Sequence, residues 1–188
     1  MQEYFETIRC DDFEVFNLEY HQKRMANSVG LNFNLGEYIY PPSSKLLKCK
    51  VIYNEESILN ISFTEYHKRE ISSFKLLTSD SISYSKKSCN REELDKLFLQ
   101  KEDCDEILIV KNGFITDTSI ANIAIFLDNV WITPKTPLLK GTTRDRLLST
   151  GELIQKDITV EMLLKAKKVA LLNAMIEMDV LEDYRFSL

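Results

Sequence analysis

The amino-acid sequence predicts an α+β protein of two lobes, built from antiparallel hairpins with flanking helices. The strongest signal is EILIVK followed by Asn112-Gly113 and FITDTS, because Asn-Gly suits the tight turn between two β-rich runs. A polar stretch over 79–93 separates two structured halves, so we expect lobes at 1–78 and 79–188. None of the five glycines forms a GxGxxG or Walker loop, which argues against doubly wound nucleotide-binding folds.

The first half shows two predicted hairpins and one helix between them. The helix, over 18–28, has His21 and Arg24 three residues apart and therefore on one face. The β-rich run at 74–77 is expected to join the second hairpin. The predicted strands of the two hairpins are 4–8, 13–16, 48–53 and 58–63.

The second half interleaves helices with hairpins, which is typical of an α+β arrangement. REELDKLFLQK keeps apolar residues at helical spacing among charges and predicts an amphipathic helix. The other predicted elements are a hairpin turning at 127–129, a helix from Gly141 to about Gly151, a helix over 159–167 and the strand VALLNAM.

Composition indicates a cytoplasmic protein that binds a small molecule. A net charge of −5 and a pI near 5.2 give no broad basic field for nucleic acid or an anionic membrane. The first residues are acidic rather than a basic leader, and eighteen apolar residues never run consecutively. No CxxC or Cys/His cluster suggests a metal site, so free thiols are expected at Cys10, Cys49, Cys89 and Cys104.

Two basic segments are candidates for chemistry. Lys-Gly-Thr-Thr-Arg-Asp-Arg at 140–146 starts a predicted helix, where free N–H groups favour a phosphate. The motif alone is more often a helix cap with solvated arginines. Lys86 or Lys87, lodged in a cleft, would titrate low enough to act as nucleophile or base, although most lysine pairs face water.

Three further polar positions each have a functional and a simpler interpretation. His21 is either a titrating group or, more commonly, a half-exposed helix residue, and a hydrolase triad has nothing specific to support it. Asp117 is either a partner for a cationic ring nitrogen or a strand-end residue in a local turn. Asn173, before Ala174, needs either a ligand phosphate or a backbone partner, the backbone being the simpler expectation.

Five segments, in chain order, resemble the class IV (fold type IV) pyridoxal-phosphate enzymes, a family that includes branched-chain aminotransferase, D-amino acid aminotransferase and aminodeoxychorismate lyase. FETIR resembles the family's opening strand, HQKRM its H-x-x-R helix, and KSCNR its lysine segment. TDTSIANI resembles the acidic stretch, and LLKGTTRDRL, the most specific match, resembles L-P-G-I-T-R. The resemblance implies a two-lobed fold, pyridoxal 5′-phosphate as cofactor and a homodimer.

The same resemblance implies roles for individual residues. Lys87, in the lyase-like pattern K-x-x-N-R, would be the Schiff-base lysine, with Lys86 as the fallback. Arg24 would bind the phosphate, and Asp117 would lie under the pyridine nitrogen, although the family usually has an acid one carbon longer. The remaining implied cofactor contacts are Asn122 in the supporting turn, Leu139 on the ring, the backbone of Thr142 and Thr143 on the phosphate, and Asn173 with Ala174 as a second phosphate contact.

The resemblance leaves more than one reaction open. Branched-chain aminotransferases place a tyrosine five residues after the lysine, whereas this chain has Glu92, so we expect a 4-amino-4-deoxychorismate lyase-like enzyme that releases pyruvate and forms 4-aminobenzoate. An aminotransferase for branched-chain or D-amino acids is the alternative. A non-catalytic cofactor-binding relative is a second alternative, since the chain starts and ends close to the matched segments. The sequence assigns no role to Glu6, Thr7 or Arg9.

Overall fold

The computed structural model describes residues 1–188, which divide into two compact units. Unit 1 comprises Met1–Lys68 and Lys86–Asn90, and unit 2 comprises Arg69–Ser85 and Arg91–Leu188. A short piece of the polar stretch therefore belongs to unit 1, while the lobe boundary expected between residues 78 and 79 stays a prediction. None of the helices is both long and apolar enough to cross a membrane.

Unit 1 contains one antiparallel sheet and one α-helix. Its elements are β1 (Tyr4–Asp11), β2 (Glu14–Val15), α1 (Leu18–Val29), β3 (Leu47–Tyr53) and β4 (Ile58–Glu65), with a short 3₁₀ helix at Leu35–Glu37. The strand order is β2-β1-β3-β4, and every neighbouring pair is antiparallel. Both predicted hairpins and the predicted helix are confirmed.

The core of unit 1 lies on one face of this sheet. Tyr4, Ile8 and Cys10 alternate along β1 and are buried together with Met25 of α1. Strand side chains alternate between the two faces of a sheet, so Glu6 points to the same apolar side. The strand pattern therefore places a carboxylate inside the core.

Unit 2 is built on a nine-stranded mixed sheet with three helices. Its elements are β5 (Ser73–Thr78), α2 (Glu92–Phe98), β6 (Glu106–Lys111), β7 (Phe114–Thr118), β8 (Asn122–Leu127), β9 (Val130–Pro134), α3 (Thr142–Ser149), β10 (Ile154–Lys156), α4 (Val160–Lys165), β11 (Lys168–Asn173), β12 (Glu177–Val180) and β13 (Arg185–Ser187). β6 to β9 pair consecutively and antiparallel, and β11 pairs with β8 and β12.

The turn signals of unit 2 are confirmed. Asn112 and Gly113 both have positive φ, at 51° and 82°, as the tight turn between β6 and β7 requires. Asp128 and Asn129, at 51° and 64°, turn β8 into β9 in the same way. The predicted helices are present as α2, α3 and α4, and Gly141 and Thr159 precede the last two as N-caps.

The prediction that 74–77 joins the hairpin of unit 1 is wrong. β5 belongs to unit 2 and pairs in parallel with β6 on one side and with β13 on the other. Parallel partners are joined by long connections rather than tight turns, so no local turn residue reports the pairing. Phe74 is fully buried in a core cluster with Leu108 and Ile123, which explains the β-rich composition of the run.

Candidate active site

A buried carboxylate in unit 1 holds two side chains of α1. Arg24 donates its Nε–H to Glu6 Oε1 at 2.9 Å and makes a second, shorter contact from Nη2 to Oε2. His21 Nδ1 lies 2.6 Å from the same Oε2. His21 and Arg24 do share one helix face, but the expected half-exposed histidine is wrong, since His21 is 0% exposed. We call Glu6, His21 and Arg24 the Glu6 triad.

The charges of the Glu6 triad follow from its contacts. Burial raises the pKa of Glu6, but the charge of Arg24 and hydrogen bonds from His21 and Arg24 outweigh it and hold this pKa at about 2. Burial lowers the pKa of His21 despite the opposing effect of Glu6. At neutral pH the triad is therefore an ion pair between Glu6 and Arg24, to which a neutral His21 donates its Nδ1–H.

The segment Lys86–Asn90 runs beside β1 and fixes the two candidate lysines. The Phe5 N–H donates to the Lys87 carbonyl at 2.9 Å, and the Cys89 N–H donates to the Glu3 carbonyl at 2.9 Å. Lys87 is half-buried, with Nζ 4.7 Å from the ring centroid of Phe5. Lys86 is exposed and donates from Nζ to the Ser28 carbonyl at 2.6 Å. The two side chains therefore have different environments, and neither is simply solvated.

In unit 2, Asp117 is a buried acceptor at the end of β7. Its Oδ2 accepts the Leu139 N–H at 2.8 Å, and its Oδ1 accepts from Asn122 Nδ2 at 2.6 Å. The local turn is made instead by Thr118, whose Oγ1 accepts the Ala121 N–H at 2.9 Å, so the local-turn interpretation of Asp117 is wrong. Burial raises the pKa of Asp117 to about 6, although both donors lower it.

Asn122 and Gly141 connect Asp117 to the start of α3. Asn122 donates from Nδ2 to the Leu139 carbonyl at 2.8 Å and accepts the Gly141 N–H on Oδ1 at 3.1 Å. A Cβ added to Gly141 would stand 2.1 Å from Asn122 Oδ1, so this position excludes any larger residue without movement of the amide. Asp117, Asn122, Leu139 and Gly141 form what we call the Asp117 network.

The first turn of α3 has the properties of an anion site. Gly141 caps the helix without a side-chain hydrogen bond, and the first N–H groups of a helix have no partner within it. Thr142 and Thr143 are buried, and Thr143 Oγ1 has no hydrogen-bond partner. A phosphate accepts from such N–H and hydroxyl donors, so these residues fit a phosphorylated ligand.

The simpler interpretation of the same motif is confirmed for the helix cap, which Gly141 provides, but is wrong for the solvated arginines. Arg144 is buried and donates from Nη2 to the Pro134 carbonyl at 2.8 Å. Arg146 is half-buried and forms an ion pair with Glu177. Both arginines therefore hold neighbouring elements of unit 2.

The remaining candidates have internal contacts. Asn173 Oδ1 accepts the N–H groups of Met175 and Ile176 at 2.9 and 3.1 Å, which is the expected backbone solution. Ala174 is half-buried in this turn, and Leu139 packs on an apolar cluster of unit 2 that includes Leu138. The cofactor contacts implied for these three residues stay predictions.

Sequence reasoning assigned no role to Glu6 and overlooked the steric role of Gly141. A signal for Glu6 was present, because a charged residue at a core-facing position of an alternating strand must find partners inside. The three-residue spacing of His21 and Arg24 on the next helix would have supplied them. Nothing local predicts the contact of Gly141 with Asn122, which are 19 residues apart.

The sequence profile of the class IV amino-transferases matches residues 55–180. The chain belongs to this family. The class IV enzymes depend on pyridoxal 5′-phosphate, and this chain is a pyridoxal-phosphate-dependent enzyme with the mixed α+β architecture of fold type IV, acting on small amino or keto substrates. The resemblance noted in the sequence is thus confirmed at the level of family, fold and cofactor.

Three relatives are similar over most of their length. An uncharacterized protein of Haemophilus influenzae is 35% identical, over 91% of this chain and 96% of its own. A crystal structure from Haemophilus somnus, provisionally described as a 4-amino-4-deoxychorismate lyase, superposes with a TM-score of 0.86 at 33% identity, covering 93% of this chain and 97% of that one. A provisional aminodeoxychorismate lyase of Schizosaccharomyces pombe is 26% identical over 81% of this chain and 76% of its own.

Proposed function

We propose that this class IV enzyme is a 4-amino-4-deoxychorismate lyase, which releases pyruvate and leaves 4-aminobenzoate, a precursor of folate. The observation that carries the proposal is the similarity to the Haemophilus somnus protein, which extends over nearly the full length of both chains. Glu92, five residues after Lys87, supports it, because branched-chain aminotransferases carry a tyrosine there. An aminotransferase is the second candidate, favoured by the family profile itself.

The proposed roles of the unit 1 residues follow from their charge and surroundings. Lys87 would attach the cofactor through Nζ and, once displaced by the substrate amine, would carry the proton removed from the amine-bearing carbon. Phe5 fixes the Lys87 backbone and places an aromatic ring beside Nζ. Arg24, held by Glu6, would contribute a fixed positive charge toward the phosphate.

The proposed roles of the unit 2 residues rest on the Asp117 network and the first turn of α3. The N–H groups of Thr142 and Thr143 and the free hydroxyl of Thr143 would receive the phosphate. Asp117 would face the pyridine nitrogen with Asn122 supporting it, while Leu139 would pack on the ring and Asn173 with Ala174 would add a phosphate contact. Pyridoxal phosphate supplies the electron sink that makes the carbon acidic.

The overall reaction balances with one proton carried by Lys87. The substrate ring carbon loses its proton to the lysine amine, and the bond from the ring to the enolpyruvyl oxygen breaks. The departing enolate takes up one proton on its CH2 carbon and becomes pyruvate, while the ring becomes aromatic. We further propose a homodimer, by family resemblance, and a reducing cytoplasmic setting, which suits four free cysteines.

Borohydride labelling tests the role of Lys87. Wild type, Lys87→Ala and the matched control Lys86→Ala would be incubated with pyridoxal phosphate, reduced and mapped by mass spectrometry. We expect the label on Lys87 in wild type and Lys86→Ala, and none in Lys87→Ala. A label on Lys86 would move the role to that residue, and absence of any label in all three proteins would favour a non-catalytic relative.

Product analysis then separates the two reactions. Unreduced wild-type enzyme loaded with pyridoxal phosphate would be supplied with 4-amino-4-deoxychorismate, and pyruvate and 4-aminobenzoate would be measured separately. We expect equal amounts of both products. Amino transfer to a 2-oxo acid without pyruvate release would assign the chain to the aminotransferases instead.

A further inference from the structure

The face of the unit 1 sheet opposite its core is rich in cations. β1 presents Phe5, Thr7 and Arg9 on this face, and β3 places Lys50 opposite Thr7 and Lys48 opposite Arg9. Lys50 is exposed, and the other four are half-buried. We call these five residues, with Lys87, the cationic face.

Lys87 and Lys50 meet at one aromatic ring. The Nζ atom of Lys87 lies 4.7 Å from the ring centroid of Phe5, and the Nζ atom of Lys50 lies 5.3 Å from the same centroid. The lysine proposed to hold the cofactor therefore shares its aromatic neighbour with a second lysine that has no assigned role. Two ammonium groups around one ring make an anion beside them favourable.

Acidic residues stand at both ends of this face, with Glu3 just before β1 beside Cys89, and Asp11 and Glu14 at the far end. Asp11 pairs with Arg9 at 2.8 Å, and Glu14 lies opposite Asp11 in the hairpin of β1 and β2. Asp11 therefore balances Arg9, whereas Lys48 and Lys50 form no ion pair with a carboxylate. The facing positions of β4 are uncharged, namely Asn60, Ser62 and Thr64.

The spacing of the two β3 lysines suits two separate carboxylates. Residues two apart on a strand point to the same face at a separation of about 7 Å. This is comparable to the distance between carboxylates on opposite sides of a six-membered ring. A lysine ammonium binds a carboxylate as a point charge with three donors and tolerates either orientation.

We propose that the cationic face binds the carboxylates of a cyclic amine that carries two of them, with Lys50 engaging the carboxylate nearer Lys87 and Lys48 the more distant one. This deepens the proposed function and rests on it, because Lys87 must be the lysine that reacts. Lys50 and Lys48 thereby select diacids over monoacids. An uncharged substrate would leave both ammonium groups without a counter-charge.

Binding of non-reacting diacids tests this selectivity. Isophthalate and benzoate differ by one carboxylate, and their dissociation constants for the cofactor-loaded full chain can be measured by calorimetry. We expect wild type to bind isophthalate more tightly than benzoate, by about tenfold or more. In Lys50→Met the ratio of the two dissociation constants should fall about tenfold. Lys50→Arg keeps the charge and should retain it. Lys45→Met, which removes an exposed lysine paired with Glu65, is the matched control.

Several outcomes would overturn the proposal. They are equal binding of the two acids by wild type, no binding of either, or an unchanged preference in Lys50→Met. A weaker affinity of Lys50→Met for pyridoxal phosphate itself, with isophthalate binding unchanged, would assign the lysine to the cofactor instead. Labelling of Lys87 reports separately on the proposed function, and isophthalate binding to the unlabelled apoprotein still reports on the cationic face.

Discussion

Glu6 in unit 1 and Asp117 in unit 2 are both buried carboxylates, yet their pKa values shift in opposite directions. Burial raises both, but Glu6 has the charge of Arg24 beside it and reaches about 2, whereas Asp117 receives the Leu139 N–H and an amide and reaches about 6. A full positive charge at hydrogen-bond distance outweighs desolvation, whereas neutral donors and the charge of Arg144, which makes no hydrogen bond to Asp117, do not. Partners, rather than depth, thus decide which carboxylate remains firmly ionised.

The difference suits the proposed roles of the two groups. A permanently ionised Glu6 keeps Arg24 fixed at any working pH. A carboxylate with a pKa near 6 responds to a nearby cation, because a positive charge would lower its pKa and stabilise its ionised form. This property would suit Asp117 to the role that we propose for it by family resemblance, which is to face a protonated ring nitrogen.

Glu6→Gln is expected to have the largest effect on stability. The substitution keeps the side-chain volume but leaves Arg24 without its counter-charge, which costs about 4 kcal/mol in the free energy of unfolding. The pKa of Glu6 is about 2 in the folded protein and about 4.5 in the unfolded chain. Wild type therefore loses this stabilisation as the pH falls from 4.5 to 2. The difference in unfolding free energy between wild type and Glu6→Gln, measured by urea unfolding, should therefore narrow toward pH 2.

Glu65→Gln is the matched control for this experiment, because Glu65 is an exposed glutamate on β4 paired with Lys45. We expect its unfolding midpoint to follow that of wild type at every pH. If the difference in unfolding free energy between wild type and Glu6→Gln stays constant from pH 7 to pH 2, the lowered pKa of Glu6 is contradicted.

Asp117→Asn should show the opposite pH dependence. Folded Asp117 binds its proton near pH 6 and the unfolded residue only near pH 3.8, so wild type gains stability as the pH falls from 6 to 4. Two pKa units correspond to about 3 kcal/mol, and the variant lacks this gain. The difference in unfolding free energy between wild type and Asp117→Asn, measured in urea between pH 7 and pH 4, gives the contribution of Asp117 protonation.

Asp128→Asn provides the control, since Asp128 lies exposed in the turn between β8 and β9, where asparagine is equally acceptable. It should leave the pH dependence of the unfolding free energy as it is in wild type. If Asp117→Asn also leaves it intact, the raised pKa of Asp117 is wrong.

Gly141→Ala tests the sterics of the Asp117 network and should have a smaller effect. The new Cβ displaces the Asn122 amide and strains the start of α3, at about 2 kcal/mol of unfolding free energy. Gly36→Ala, where the nearest side-chain atom is 3.5 Å away, should change little. In an Asn122→Ala background the cost of Gly141→Ala should largely vanish, and an undiminished cost there would refute the contact.

Local signals predicted the hairpins and helices, while long-range contacts remained hidden. The residue types of Asn112 and Gly113 themselves favour the positive φ that the turn requires, and Gly141 lies directly before a helix. The parallel pairing of β5 with β6 and β13 has no comparable local marker, because its partners are distant in sequence.

The same limit applied to the site. Residue spacing put His21 and Arg24 on one face of a helix, but their shared partner is Glu6, which lies 15 and 18 positions away. The buried state of Arg144 likewise depends on the Pro134 carbonyl at the end of another strand. Family resemblance supplied the candidate roles that spacing alone left open.

The alternation of β1 has a consequence for how this protein tolerates insertions. Even-numbered positions such as Glu6 face the core, and odd-numbered positions such as Thr7 and Arg9 line the cationic face. A single inserted residue near the start of β1 would exchange the two sets at every later position of the strand. It would carry Glu6 out of reach of Arg24 and turn Arg9 toward apolar side chains. The contact of Glu6 with Arg24 and the residues of the cationic face therefore both depend on the same register of β1.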